Sequence, residues 1–94
     1  VVTVARRRVD PQRIKKFICK LAHDTRGKTL TISTALLAKK LYGKEALNQP
    51  VLMATLRAVY RDNVYKTIED CLVTRRAERH VFNRRCVLDK CRSP

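Results

Sequence analysis

Residues 28 to 62 read KTLTISTALLAKKLYGKEALNQPVLMATLRAVYRD, and the period of their hydrophobic pattern changes along the way. In KTLTI, Leu30 and Ile32 alternate with Thr29 and Thr31, the period-two mark of a short half-buried strand. Ser33 or Thr34 then offers a hydroxyl to cap a helix over TALLAKKLY. That helix buries Leu37 and Leu41 with help from Leu36, leaves Lys39 and Lys40 toward water, and stops at Gly43. KEALNQ makes a turn, with Asn48 or Gln49 as cap and Pro50 in the first turn of a further helix. There Leu52, Leu56 and Val59 form the core face, while Arg57 and Arg61 share another face at i, i+4 spacing.

Upstream, Asp10 followed by Pro11 marks a helix start, because the carboxylate accepts from orphan N–H groups and proline at the first helical position sacrifices no hydrogen bond. Ile14, Phe17, Ile18 and Leu21 then form one apolar stripe ending near Gly27. Residues 1 to 9, VVTVARRRV, hold an Arg triplet and read as an extended basic arm. Downstream from Val64 the helical period is lost. VYKTIEDCLV, RRAE and RHVFNRR read as two strands joined by a charged turn, although TIEDCLVTRRAERHVF also admits a helix. The expected organisation is an arm over residues 1 to 9, a domain over 10 to 88 and a short tail over 89 to 94.

With 22 Lys and Arg against 8 Asp and Glu, the formal net charge over 94 residues is +14. Such self-repulsion is relieved by a polyanion, and the 45% apolar content points to a folded domain, not a disordered basic tail. Arg outnumbers Lys, 13 to 9, which favours phosphate and base-edge contacts through the planar guanidinium. No stretch approaches the ~20 apolar residues of a membrane span, and the start lacks the apolar core of a signal peptide. An intracellular protein with no membrane partner is expected.

The order helix, strand, helix, turn, helix, strand, charged turn, strand is that of an α+β winged helix-turn-helix: three helices, a short three-stranded antiparallel sheet and a basic N-terminal arm. Such domains present the second helix of the motif to nucleic acid, here Gln49, Met53, Thr55, Arg57 and Arg61, with Arg75, Arg76 and Arg79 at the wing tip. Three stretches, KTLTISTALLAKKL, NQPVLMATLRAVYRDNVYKTI and RAERHVFNRR, resemble the winged-helix protein family numbered twenty-five of the eukaryotic and archaeal small ribosomal subunit. The resemblance covers close to half of the chain. It implies an rRNA-binding structural component of the ribosome, without catalytic activity, contacting neighbouring ribosomal proteins in the cytoplasm. A second stretch, KLAHDTRGKTLT with the helix after it, is similar to the loop and last helix of a histone fold. That reading, a chromatin protein, runs the long histone helix through Pro11, at a cost of about 3 kcal/mol.

The four cysteines, Cys19, Cys71, Cys86 and Cys91, are too sparse for a secreted disulfide framework and are expected mostly as reduced thiols. Cys19 and Cys71 read as small buried hydrophobes, and the tail pair as free thiols or, in a hyperthermophile, a disulfide. Cys71, His80, Cys86 and Cys91 are a conceivable zinc set, but only Cys86 and Cys91 have ligand-like spacing. His23 sits where a helix C-terminus presents its carbonyls, and neither histidine has a nucleophile beside it. Glu69 and Asp70, the adjacent acids, would point to opposite faces of a strand. With Gly27 and Gly43 alone there is no phosphate-binding glycine loop, so neither an enzyme, a cofactor nor a small-molecule substrate is expected.

What remains is cationic: Arg6, Arg7 and Arg8 on the arm, Arg57 and Arg61 on the third helix, and Arg75, Arg76, Arg79, Arg84 and Arg85 around the wing. Only Asp62 and Glu78 lie directly beside them, whereas a merely solvated face interleaves both signs. The alternative to rRNA is a DNA-binding regulator of the nucleus or nucleoid, its third helix in a major groove.

Overall fold

A computed structural model describes residues 9 to 92. The expected arm arginines Arg6, Arg7 and Arg8 lie outside the described residues. Helix α1 (Pro11–Asp24) starts where Asp10 accepts a hydrogen bond from the Gln12 amide at 2.9 Å. The Asp10–Pro11 pair is thus a helix start, not the interior of a longer helix. Strand β1 (Thr29–Ser33) leads into helix α2 (Thr34–Tyr42), whose first turn is capped by the Ser33 hydroxyl accepting from the Leu36 amide. Gly43, at φ 91°, ends α2, a conformation that a side chain disfavours.

A 3-10 turn (Lys44–Asn48) precedes helix α3 (Pro50–Val59). The helix then continues through a π-helical stretch (Tyr60–Tyr65), a last α turn (Lys66–Ile68) and a 3-10 turn (Glu69–Cys71). The strand expected from Val64 therefore starts only at Leu72. The reason is burial: Leu52, Leu56, Tyr60, Val64 and Ile68 recur every fourth residue and all face the core. In a regular α-helix that spacing drifts round the axis by about 40° per step, and the wider π turns bring the stripe back.

Strands β2 (Leu72–Arg76) and β3 (Arg79–Asn83) form a hairpin, and β1 pairs with β3 to give an antiparallel sheet in the order β1-β3-β2. The architecture is thus α+β. Helix α4 (Arg84–Arg92) follows at once, capped by the Asn83 side chain, which accepts from the Cys86 amide at 2.9 Å. Residues 89 to 92, expected in a tail, belong to this helix. Val9, expected in the arm, packs into the same core as Ile14, Leu37, Phe82 and Val87. Each such side chain contributes about 1.5 to 3 kcal/mol of burial free energy.

The cysteines differ most from expectation. Cys19 is bonded to Cys91 and Cys71 to Cys86, so the thiols are not free and the last two cysteines are not bonded to each other. Helix α4 folds back along α1 and carries its two cysteines to partners on other elements, a tertiary arrangement that spacing does not encode. The zinc set Cys71, His80, Cys86 and Cys91 is dismantled by the same bonds, and His80 is hydrogen-bonded to Tyr60 instead.

Candidate nucleic-acid interface

Because α3 turns Leu52, Leu56 and Tyr60 inward, its outward line is Val51, Ala54, Arg57 and Arg61, all exposed. Val51 is 64% exposed. Gln49 precedes this line; its side chain makes no capping hydrogen bond, and it is exposed. Two other residues expected on the face are engaged elsewhere. The Thr55 hydroxyl donates to the Val51 carbonyl at 2.8 Å, and Met53 packs half-buried against the core. Val51 and Ala54 were missed, although stepping back from Arg57 by three residues reaches both.

The second component is the β2–β3 hairpin. Its turn consists of Ala77 and Glu78, with Ala77 at φ 50°. A bulge between Leu72 and Thr74 interrupts the β2 register and leaves Val73 58% exposed. Arg75 lies opposite His80, and Arg76 lies directly opposite Arg79. Like charges facing each other across strands destabilise a hairpin in water, and a bound anion reverses the sign of that effect.

The Arg57 guanidinium donates to the Glu78 carboxylate at 2.9 Å and joins α3 to the hairpin tip. With side chains 47% and 63% exposed, the pair is worth only about 0.2 to 1 kcal/mol, so its effect is on orientation more than on stability. Arg61 lies 3.5 Å from Asp62. Beneath the hairpin, the Tyr60 hydroxyl is 3.0 Å from Nδ1 of His80, and Tyr60, Tyr65, His80 and Phe82 form a continuous ring cluster. Burial, and then the neighbouring Arg75 charge, hold the His80 pKa below the usual imidazole value. Burial, and then the nearby Tyr65, push the Tyr60 phenol up. The support under the hairpin is thus a neutral aromatic block linking it to α3.

Arg84 and Arg85 do not join this assembly. The pairing of Thr29 with Asn83 and of Ser33 with Arg79 puts them at the end of the sheet away from the Ala77–Glu78 turn. Arg84 Nε donates to the Ala22 carbonyl at 2.6 Å and Nη2 to that of His23 at 3.4 Å, so it caps the C-terminus of α1. His23, expected at those carbonyls, is instead exposed with Nδ1 3.5 Å from Asp24. Arg85 is exposed beside Lys28. Glu69 and Asp70 sit in a 3-10 turn and not a strand. Asp70 is bonded to Lys90 at 2.8 Å, a hydrogen bond that holds its carboxyl below the usual range.

Among the described residues no three His, Cys, Asp or Glu side chains cluster as a metal site, and no helix is long and apolar enough to cross a membrane. No protein-family model matches the chain, and no curated protein or solved structure matches it either.

Proposed function

We propose that this chain is a winged helix-turn-helix protein that binds double-stranded nucleic acid, with α2 and α3 as the motif and the β2–β3 hairpin as the wing. The observation that carries the reading is the Arg57–Glu78 bridge, which joins a helix with Arg57 and Arg61 exposed to a hairpin whose end carries Arg75, Arg76 and Arg79. Phosphate contacts from the wing would set position, and the α3 line would meet base edges.

Duplex DNA fits α3 best. Val51 and Ala54 offer apolar contact of the kind a thymine methyl takes in a major groove, and an arginine pairs with guanine there. The major groove of A-form RNA is too deep and narrow for side chains to read in this way. The second reading, an rRNA-binding part of the small ribosomal subunit, is favoured by cations such as Lys15, Lys16, Lys28 and Arg85 that lie off the α3 and wing surface. Two disulfides in a nucleic-acid-binding protein fit the interior of a hyperthermophile, where such bonds persist.

Fluorescence anisotropy against DNA and RNA duplexes of the same sequence tests the proposal. Tighter binding to DNA, by about tenfold at equal salt, is expected from major-groove access. In R75A/R76A/R79A the slope of log affinity against log salt should fall by about 2.7, at ~0.9 per phosphate contact. An unchanged slope would remove the wing from the interface, and preference for RNA would favour the ribosomal reading.

A further inference from the structure

The α3 and wing surface leaves many of the chain's cations unused, and some of them line a groove on a different part of the molecule. Between α1, the end of the α3 extension and α4 lies a groove of about 710 Å³ whose polar lining is Gln12, Lys15, Lys16, Thr67 and Lys90. None of these residues belongs to the line Val51, Ala54, Arg57, Arg61 or to the hairpin. Among the described residues Lys15 and Lys16 have no ion-pair partner, whereas Lys90 is held by Asp70. Ile18, Val64, Ile68 and Val87 form the floor, but they are only 0 to 5% exposed. The exposed rim of the groove is thus set by its polar and cationic side chains. Its attraction is charge, delivered by lysines, which act on phosphate as point charges without base preference. The Cys19–Cys91 bond crosses beside it and fixes the spacing of its two helical walls.

We propose that this groove holds the phosphate backbone of a second nucleic-acid segment while α3 and the wing hold the first, so that one protein molecule bridges two duplexes. The proposal rests on the reading of α3 and the wing as the first nucleic-acid surface. It assigns the α1–α4 side a sequence-independent role that a single-site regulator lacks.

The test is capture of a labelled DNA duplex by a second duplex fixed to beads, with the full chain shown to be monomeric by sedimentation. Wild type should capture. K15E/K16E should bind a single duplex with its wing-dependent salt slope intact, yet lose capture by about tenfold or more, through two lost phosphate contacts and the repulsion of two acids. The neutral variant K15Q/K16Q, with less risk to folding, should lose capture to a smaller extent. Capture that survives in both variants, or wing-dependent binding to single duplexes without any capture by wild type, would overturn the bridging proposal alone. Absence of wing-dependent binding to a single duplex would overturn the underlying reading as well.

Discussion

Two residues of the hairpin turn bear on binding and stability in different ways. Ala77 occupies φ 50°, in the left-handed region where a Cβ costs about 1 to 2 kcal/mol and glycine pays no such penalty. After allowing for the greater freedom of glycine in the unfolded chain, Ala77→Gly should stabilise the protein by about 0.5 to 1 kcal/mol, read as a rise in Tm of several degrees. Glu78 acts oppositely, since its carboxylate competes with phosphate for Arg57. Glu78→Gln should tighten duplex binding by about 0.5 kcal/mol, roughly twofold at low salt, with little change in Tm. His80 makes the prediction about acidity. Its folded pKa is depressed, so the unfolded chain takes up the proton first as pH falls. Stability should be flat above the ordinary imidazole pKa of about 6.5 and should decline below it, until the folded pKa is passed. Thermal melts across this range should show the decline in wild type and a flatter profile in His80→Gln.

Among the elements, the most readable in the sequence were those with local causes. Asp10 and Pro11 start α1, Leu30 and Ile32 alternate along β1, and Gly43 stops α2, each through the chemistry of adjacent residues. The run from Val64 to Cys71 was misread because Val64, Tyr65, Thr67 and Ile68 carry strand propensity, while the spacing of Tyr60, Val64 and Ile68 carries the helical face. Tertiary burial overrode propensity there. The α3 arginines could be located by spacing, but spacing does not reveal that the Thr55 hydroxyl is taken up by the Val51 carbonyl of its own helix. Arg84 sits in an arginine-rich run, yet its role as a cap for α1 depends on contacts 62 and 61 residues away. Helix α4 was the least legible, since its place depends on pairing Cys91 with a cysteine 72 residues earlier. In the loop-closure account, the bond spanning 15 residues is worth about 3 kcal/mol and the one spanning 72 about 4. Reduction with a dithiol should therefore lower Tm sharply, and Cys19→Ser should lower it more than Cys86→Ser; insensitivity to reductant would detach α4 from this account.

For the molecule as a whole, the formal net charge of +14 is distributed so that its functional content depends on which cations are already paired. Arg84 is used up in capping, Lys90 in holding Asp70, and Arg57 is shared with Glu78. Arg61 lies near Asp62, whereas Arg75, Arg76 and Arg79 are exposed at the hairpin. One core holds both elements: Phe82 and the ring cluster anchor the hairpin that carries these three, and Leu56 and Tyr60 anchor the helix. The spatial grouping of α3 and hairpin as one binding surface is the central claim, and amide NMR shifts during titration with a short DNA duplex test it most directly. Shifts at residues 49 to 61 and 75 to 79 are predicted in wild type and in K15E/K16E alike. A silent α3 and hairpin, with shifts elsewhere or none at all, would contradict it.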